Sequence, residues 1–468
     1  MKYDVIIVGA GPSGIFTALE LIKKRGIRVL LLEKGRDLKE RLELFKNYAS
    51  SHQPQFMKSG DAGLNELSPT LSGWGGAGAF SDGKLTLSSE VGGFLHRYLD
   101  EGDLTGLIGY VDRCYVQHGA PEQTYGSNIA EIERLKEKAA RDNLKLIPSK
   151  IRHLGTDRCP DVLQNFKKTL EGKIEIKFNR GVETILQNGS KVRGIVTDNG
   201  EEFLSDFVVL SPGRGGAGWL DKEYRRIGLT TLINPVDIGV RIELPASVLN
   251  FVTDIMYEPK LIFYSRQFDD QVRTFCVNPY GEVIQEVSEG MVTVNGHSYT
   301  EKKSDNTNFA LLVSTTFTKP FTEPISYGKY IARLANLLSD GIIVQRLGDL
   351  LKGRRSTPDR IKRGIVTPTL QTATPGDLSF VLPYRFLVNI LEMLESLDKF
   401  APGIYTEHTL LYGIEVKFYS LQLKLTKSLE TEISNLFAVG DGAGVSRGLI
   451  QASVSGVVAA REILKRLN

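Results

Sequence analysis

The sequence predicts an α/β fold: a Rossmann-type domain, built on a parallel sheet with helices on both faces, into which a mostly β, α+β domain is inserted. Two observations carry this prediction. A strand, a glycine-rich turn, a helix and a second strand follow one another within the first 33 of 468 residues. Near residue 236 the composition shifts to Val, Thr, Phe and Tyr with polar turns. A short strand followed by a glycine-rich turn, as in a Rossmann-type domain, returns near residue 435.

The first 33 residues have the pattern of a βαβ unit. Residues 3–8 are a short apolar run rich in β-branched side chains, which is typical of a buried parallel strand. The glycine-rich turn 9–14 follows, and apolar residues then recur at helical spacing over 13–25. Residues 28–33 form the second predicted strand.

The rest of the chain alternates between irregular, helical and strand patterns. Residues 59–93 are dense in Gly and Ser, which predicts irregular structure pressed on a ligand. The remaining predicted elements are helices over 127–143, 329–352, 384–399 and 449–466, strands over 174–196, 205–211 and 435–439, and a mostly β segment over 236–330.

Charge, cysteine usage and hydropathy argue against several function classes. The net charge of +3 is too small to predict nucleic-acid binding. Three widely spaced cysteines and six scattered histidines favour a reducing compartment and no metal or iron–sulfur site. The first strand begins too early for a signal peptide, and no apolar run reaches about 18 residues. We therefore expect a cytoplasmic protein without a membrane span.

The dinucleotide pattern G-x-G-x-x-G occurs three times, beginning at Gly9, Gly73 and Gly213. The bare pattern is weak, so the structural context has to decide among the three matches. Only the first match lies between a clear strand and a clear helix. Only this match is followed by a second strand that ends in an acid, Glu33. The sequence therefore predicts a dinucleotide site at the first match.

Each residue of the first match has a physical role in holding a dinucleotide. Gly9 permits the tight turn, Gly11 lets the backbone approach a pyrophosphate, and Gly14 allows close packing of helix on strand. The helix N-terminus offers N–H groups and a positive dipole to the phosphates. Glu33 would accept hydrogen bonds from the adenosine ribose. An acid there disfavours a 2′-phosphate, so FAD or NAD is favoured over NADP.

The other glycine-rich segments have different interpretations. Residues 73–84 follow no apolar strand and are typical of a loop whose backbone lies against a flat or anionic ligand. No βαβ unit with a terminal acid follows Gly213, so we predict no second, dedicated NAD(P) domain. Residues 444–448 fit G-x-S-x-G, but no His follows residue 408, which argues against a serine hydrolase.

Several of these segments resemble known flavoprotein signatures. Gly9–Gly14 with Glu33, the Ser-Pro-Gly of 211–213 and Leu436–Asp441 resemble the FAD-binding segments of glutathione-reductase-type flavoproteins. Nearly the whole chain resembles the uncharacterised FAD-dependent dehydrogenase family of bacteria and archaea, through segments 75–84, 118–121, 153–157, 238–243, 273–276, 411–415 and 440–444. The chain departs from that family at 416–420 and at Ser446-Arg447.

The resemblance implies FAD as the cofactor. It implies that Asp441 meets the ribityl–pyrophosphate region and that the helix after Gly448 points its N-terminus at the flavin N1/O2 edge, where a positive dipole stabilises the reduced anion. With the glycine motifs, it predicts FAD-binding residues at Gly9, Gly11, Pro12, Ser13, Gly14, Glu33, Lys34, Gly75, Gly76, Ala77, Gly78, Ser81, Lys84, Val182, Ser211, Gly213, Gly440, Asp441, Gly448, Leu449 and Ile450.

The predicted FAD-binding domain is discontinuous. It comprises residues 1–235, with a helical insertion at about 91–145, and residues 385–468. Residues 236–384 form the predicted substrate domain between them.

Three cations are the candidate catalytic residues: Lys84 on the probable flavin loop, Arg241 at the start of the inserted domain, and Arg447 beside the flavin helix. Lys84 could equally neutralise a pyrophosphate, and Arg447 could bind a substrate carboxylate or form a structural ion pair. Asp82 and Glu243 are weaker candidates on the same segments.

Three functions are consistent with the sequence. The first is an FAD-dependent dehydrogenase or reductase that acts on a small organic molecule and exchanges electrons with transiently bound NAD(P)H or a redox protein. The second is a flavin-dependent RNA-modifying enzyme, which requires a concentrated basic face, whereas the chain offers only the weak cluster 352–363. The third is a non-catalytic escort protein on the same fold, against which the intact glycines, Glu33 and Asp441 argue.

Overall fold

The structure is a computed structural model that describes residues 2–50, 72–81, 83–232, 235–288, 290–299, 302–321, 323–418 and 422–467. Its helices are α1 (Pro12–Leu21), α2 (Leu38–Ser50), α3 (Glu101–Gln117), α4 (Ile129–Arg141), α5 (Cys159–Leu170), α6 (Ala217–Arg226), α7 (Asn250–Met256), α8 (Pro324–Leu337), α9 (Leu347–Leu351), α10 (Pro358–Lys362), α11 (Tyr384–Phe400) and α12 (Leu449–Arg466).

The strands are β1 (Lys2–Val8), β2 (Val29–Leu32), β3 (Lys84–Thr86), β4 (Lys145–Ile147), β5 (Ile151–His153), β6 (Glu175–Lys177), β7 (Val182–Asn188), β8 (Lys191–Thr197), β9 (Glu202–Leu210), β10 (Thr231–Leu232), β11 (Val236–Pro245), β12 (Lys260–Tyr264), β13 (Gln271–Asn278), β14 (Glu282–Ser288), β15 (Met291–His297), β16 (Asn306–Thr315), β17 (Ile343–Arg346), β18 (Thr374–Pro375), β19 (Leu410–Lys417), β20 (Gln422–Leu423) and β21 (Leu436–Ala438).

The chain forms two compact units, of which the first comprises 1–122, 152–234 and 419–468. Its main sheet has the order β6–β2–β1–β9–β8–β7, and β21 also pairs with β9. The pairs among β6, β2, β1, β9 and β21 are parallel, whereas β7 and β8 pair antiparallel. Because parallel strands end at the same edge, the loops after β1, β9 and β21 meet there. This arrangement confirms the predicted Rossmann-type α/β fold.

Helices α1 and α12 pack closely in the first unit, although they are far apart in the chain. A Cβ on Gly456 would lie 2.1 Å from the carbonyl oxygen of Ser13, so only glycine fits at this crossing. Thr17 Oγ1 donates to the Gly456 carbonyl at 3.3 Å. Phe16 of α1 also stacks on Tyr115 of α3, with 5.2 Å between the ring centroids. These contacts hold α1, α3 and α12 in one core.

The second unit comprises 123–151 and 235–418. Its main sheet has the order β18–β17–β19–β11–β16–β13–β12–β4 and is antiparallel except at β17–β18. Side chains alternate between the faces of a strand. On β11, Ile238, Val240 and Ile242 join the apolar core, whereas Arg241 and Glu243 lie on the opposite face and are also buried. The unit is therefore α+β with a polar interior on one side of its sheet.

The boundaries of these units differ from the predicted domain boundaries in two places. The prediction places residues 123–151 in the first domain, mostly within its helical insertion at about 91–145, but they belong to the second unit, because β4 pairs with β12. Residues 385–418 also belong to the second unit, because α11 packs in its core and β19 pairs with β11.

The predicted helix over 329–352 is wrong in its middle. The structure ends α8 at Leu337 and forms β17 over Ile343–Arg346 before α9 begins at Leu347. Gly341 has a φ of +136°, which breaks the helix, and the run Ile342–Val344 is β-branched. In the described ranges no helix combines the length and apolar character needed to cross a membrane. The same ranges contain no cluster of His, Cys, Asp and Glu suited to a metal.

Candidate cofactor site

The turn after β1 requires glycine at two positions and leaves space at a third. Gly9 has a φ of +103°, and a Cβ there would lie 2.3 Å from the Ser211 carbonyl oxygen. A Cβ on Gly14 would lie 2.0 Å from the Gly9 carbonyl oxygen. At Gly11, by contrast, no described atom lies within 4 Å of the Cβ position. The backbone at Gly11 therefore borders open space, as a site for a pyrophosphate requires.

Helix α1 begins at this open position. Gly11 is its N-cap, Pro12 occupies the first turn, and no side chain among the described residues caps it. Uncapped N–H groups and the helix dipole form an anion site. Ser13 lies on the side of this turn next to Gly440, since a Cβ on that glycine would be 2.5 Å from Ser13 Oγ. The residues here fit the phosphates of a dinucleotide.

The carboxylate of Glu33 is buried and accepts three backbone hydrogen bonds. Oε2 accepts from the N–H of Ala10 at 2.8 Å, and Oε1 accepts from Gly35 at 2.9 Å and Gly73 at 3.0 Å. A carboxylate has about four acceptor positions, so the contacts among the described residues leave one for a ligand. Glu33 therefore joins the dinucleotide turn to the second glycine-rich segment, and its contact with a ribose stays a prediction.

The segment Gly73–Gly78 lies on the dinucleotide turn. Gly75 N–H donates to the Ala10 carbonyl at 2.8 Å. A Cβ on Gly76 would lie 3.2 Å from Gly11 Cα, and one on Gly78 would lie 3.0 Å from Leu449 Cδ2. The segment thus connects the start of α1 with the start of α12. Two further predicted contacts, Ala77 and Ser81, belong to the same stretch, and Ser81 Oγ donates to the Gly78 carbonyl at 3.1 Å; Asp82 lies outside the described residues.

The loop after β9 closes another side of the turn. Ser211 Oγ hydrogen-bonds to the carbonyls of Val8 and Gly9, at 2.9 Å each. Gly213 has a φ of +61°, and no described atom lies within 4 Å of its Cβ position. Lys34 Nζ donates to the Gly215 carbonyl at 2.9 Å, which places this half-buried cation at the same loop.

Val182 begins β7 and is half-buried. The N–H of Arg180, two residues before Val182, donates to the Glu33 carbonyl at 3.0 Å, so the start of β7 lies close to the end of β2.

The loop after β21 carries a partly buried acid. Ser446 Oγ donates to Asp441 Oδ1 at 2.7 Å, and Arg214 Nε lies 3.8 Å from Oδ2. Burial raises the pKa of Asp441, although Arg214, Ser446 and Arg447 act in the opposite direction. Gly440 N–H is held by Ser455 Oγ at 2.9 Å, which joins this loop to α12.

Helix α12 begins at this loop with Gly448 as its N-cap and Leu449 and Ile450 in its first turn. Ile450 is buried, whereas Gly448 and Leu449 are partly exposed. The structure thus brings together the segments after β1, β9 and β21, the Gly73–Gly78 segment and the start of α12. Sequence reasoning predicted each of them separately.

The three candidate catalytic cations have different surroundings. Lys84 on β3 is 9% exposed. Arg447 is half-buried, and its N–H donates to the Gly92 carbonyl at 2.8 Å directly before α12. Both belong to the first unit, together with the predicted cofactor residues.

Arg241 belongs to the second unit and is fully buried. All five of its N–H donors are used: two bind Glu415 at 2.8 and 2.9 Å, and the others bind Asn308 Oδ1, the Cys276 carbonyl and Asn295 Oδ1. This arrangement leaves no donor for a substrate and favours a structural role over the predicted catalytic one.

Sequence reasoning missed Arg41. It lies on α2, is 1% exposed, and donates to the carbonyls of Trp74 and Gly76. Its sequence environment is a charged helix with no motif, so only the three-dimensional contacts identify it.

Two family models match the chain. Residues 4–41, which contain the dinucleotide turn, match the model described as FAD dependent oxidoreductase. Residues 235–418, which form most of the second unit, match the model described as FAD-dependent protein, C-terminal domain-like. Both models name the same cofactor, so the prediction of FAD is confirmed.

The chain is also similar to whole proteins. Among solved structures, glycine oxidase from Geobacillus kaustophilus is 13% identical with a TM-score of 0.40, over 99% of this chain and 95% of that chain. An FAD complex of glycerol-3-phosphate dehydrogenase from Bacillus halodurans is 12% identical with a TM-score of 0.41, over 100% and 65%. An uncharacterized protein of Clostridium beijerinckii is 31% identical over 492 residues, covering 100% of this chain and 82% of that protein. The chain therefore belongs to the family of this Clostridium protein, and it is an FAD-dependent oxidoreductase.

Proposed function

We propose that the first unit holds FAD in the glutathione-reductase-type manner and that the protein acts as a dehydrogenase or reductase on a small organic substrate. The observation that carries this proposal is the open space at Gly11, at the uncapped N-terminus of α1 and beside Gly73–Gly78. FAD, when bound, accepts or donates a hydride or single electrons.

The residues of the chain would supply position and charge. The N–H groups at the start of α1 suit the pyrophosphate, and the remaining acceptor position of Glu33 suits a ribose hydroxyl. The dipole at the start of α12 suits negative charge on a reduced cofactor. Arg447 is half-buried and lies directly before α12, so it is the first candidate to bind a substrate carboxylate. Lys84 is the alternative cation in the same unit.

The electron partner is a separate proposal. Because the chain shows no second dinucleotide motif in a βαβ context, we propose that NAD(P)H binds transiently or that a redox protein exchanges electrons with the cofactor. A cytoplasmic location also remains a prediction.

The RNA-modifying alternative receives little support from the basic segment 352–363. Arg354 and Arg360 face Asp349 at 2.9 and 3.9 Å, and Lys352 lies 4.0 Å from Glu407. These carboxylates offset part of the positive charge that a phosphate backbone would need.

The first experiment is an absorption spectrum of the purified protein from about 300 to 600 nm, followed by release and identification of the chromophore. Flavin bands and released FAD are expected. Stopped-flow mixing with NADH or NADPH then tests the electron partner, and bleaching of the flavin band by either one supports transient binding. A protein that stays colourless after addition of FAD would contradict the proposed site and favour the escort alternative. Absence of bleaching would exclude NAD(P)H as a direct electron donor and leave a redox protein as the proposed electron partner.

A further inference from the structure

Arg41 is a buried cation that binds two backbone carbonyls. It belongs to α2 in the first unit and is among the largest fully buried side chains of the described residues. Its guanidinium lies 4.9 Å from the centroid of the Phe80 ring. A Cβ on Gly73 would lie 2.4 Å from Arg41 Cδ, so glycine at 73 makes room for the arginine stem. Burial lowers the pKa of Arg41 to about 10, while Glu33 acts in the opposite direction.

Arg41 binds two alternate peptide carbonyls of the neighbouring segment. Nη1 donates to the Trp74 carbonyl, and Nη2 donates to the Gly76 carbonyl at 3.0 Å. A guanidinium is suited to this task because its donors form a rigid planar fork. Lysine would offer a point charge on a flexible stem instead.

The N–H groups of the same segment are held from the other side. Glu33 Oε1 accepts from Gly73 at 3.0 Å, and the Ala10 carbonyl accepts from Gly75 at 2.8 Å. In a trans peptide the C=O and N–H groups point in opposite directions. The carbonyl of Trp74 therefore turns to Arg41 while the N–H of Gly75 turns to Ala10. Residues 73–76 have both their main-chain N–H and their carbonyl hydrogen-bonded, and Arg41 is the side chain that holds two of the four carbonyls.

We propose that Arg41 is a positioning residue for FAD, which orients the peptide groups of residues 73–76 so that Gly73–Gly78 forms the second wall of the cofactor site. This inference rests on the proposed FAD site at the start of α1. Arg41 would act through the Trp74 and Gly76 carbonyls that it binds. Gly76 belongs to this segment, and a Cβ placed on it would lie 3.2 Å from Gly11 Cα, next to the open space.

The test compares Arg41→Met and Arg41→Lys with a matched control, Arg152→Met. Arg152 is a second buried arginine of the first unit, 6% exposed, which pairs with Asp112 at 2.7 Å and donates to the Pro121 carbonyl. For each variant the apo-protein is prepared, its Tm is measured, and FAD is titrated by fluorescence quenching. Visible circular dichroism of the bound flavin reports the geometry of the site.

We expect Arg41→Met to raise the Kd for FAD about tenfold or more and to change the visible dichroism, since it removes two charge-assisted hydrogen bonds from the segment. Arg41→Lys keeps the charge and should restore part of the affinity. Arg152→Met should lower the Tm as much or more but leave the Kd within about twofold. If Arg41→Met does not fold, Arg41→Lys still tests the proposal, because it should raise the Kd by about threefold or more.

The proposal fails if the Kd and flavin dichroism of both Arg41 variants equal those of the wild type, or if Arg152→Met raises the Kd to the same extent. These outcomes differ from a failure of the proposed site, in which the wild-type apo-protein itself would not bind FAD.

Discussion

The two units of the molecule bury charge in different ways. In the first unit the carboxylate of Glu33 is bound by the backbone N–H groups of Ala10, Gly35 and Gly73. In the second unit Arg241 binds mainly side chains, and its ion pair with Glu415 is fully buried on both sides. Lys417 adds a third charge, 3.0 Å from Glu415.

The polar site of the first unit is open to a ligand, whereas the polar network around Arg241 in the second unit is closed. Backbone groups of glycine-rich segments occupy little volume, so the polar site of the first unit borders open space at Gly11 and Gly213. The network around Arg241 uses every donor of that guanidinium within the protein. A buried polar group whose hydrogen-bonding positions are all used within the protein stabilises the fold, whereas one with a position left over can bind a ligand.

The largest expected effect comes from opening the closed network. Arg241→Met leaves Glu415 buried with one of its two cationic partners removed, and breaking a buried pair costs about 3–5 kcal/mol. We expect a large fall in Tm by calorimetry. The double variant Arg241→Met/Glu415→Leu should not recover this stability, because it also leaves the buried ammonium group of Lys417 without its carboxylate.

A different result for Arg241→Met would overturn the comparison. If the variant keeps the wild-type Tm and FAD content but loses turnover, Arg241 is catalytic and the second unit carries chemistry in its polar interior.

The next largest effect is a difference between substitutions at Gly14 and Gly11, two glycines of the same turn. Gly14→Ala places a Cβ 2.0 Å from a backbone oxygen, so the backbone must shift, at a cost of about 1–3 kcal/mol. Gly11→Ala meets no described atom within 4 Å and should leave the Tm of the apo-protein unchanged. It should nevertheless raise the Kd for FAD about tenfold, because the methyl group enters the cofactor space.

Titration of FAD into the two apo-proteins, with Tm measured in parallel, checks this pair. Equal affinity of Gly11→Ala and wild type for FAD would show that the open space at Gly11 is not the cofactor space.

A smaller effect concerns the acid after β21. Because the pKa of Asp441 is raised in the folded protein, its ionised form costs stability above that pKa, and the cost disappears as the pH falls through the raised pKa towards the ordinary value. Asp441→Asn removes this cost. We expect the apo-variant to be more stable than the wild type at pH 8, and the difference to shrink as the pH falls towards the ordinary pKa of aspartate, about 4.

The same variant should bind FAD more weakly, since a charged acceptor is lost. Urea unfolding at several pH values and FAD titration check both halves. A stability difference that grows on acidification would contradict the raised pKa.

The smallest expected effect concerns Lys34. Its ammonium group is held by the Gly215 carbonyl, so Lys34→Gln should change stability by no more than about 0.5 kcal/mol. Lys34 is predicted from the sequence to bind the cofactor, and if it does so through a phosphate, the variant will instead raise the Kd for FAD and reduce its salt dependence. Titrations at two salt concentrations decide between these roles.

The part of the site that the sequence could predict depends on local backbone rules. Gly9 and Gly14 are required by close approaches within one turn, and the acid at the end of β2 has a fixed place in a βαβ unit. The helix α12, predicted over 449–466, has those bounds because its apolar spacing is strong.

The part that could not be predicted depends on contacts between distant segments. Arg41 acts through the backbone of residues 74 and 76, and no local pattern records such a contact. The environment of Arg241 follows from the pairing of β11 with β19, which includes a bulge between Gly239 and Arg241. Burial of that side chain therefore depends on a register that a single sequence does not reveal.

The packing of α1 on α12 has a consequence for biosynthesis. Thr17 and Gly456 are 439 residues apart, so a nascent chain cannot form this contact until the ribosome has passed the last helix. Closing so long a loop is slow, and the whole second unit is synthesised in between. Capture of the cofactor would then be a late, post-translational event. Until that moment the first βαβ unit lacks its partner helix.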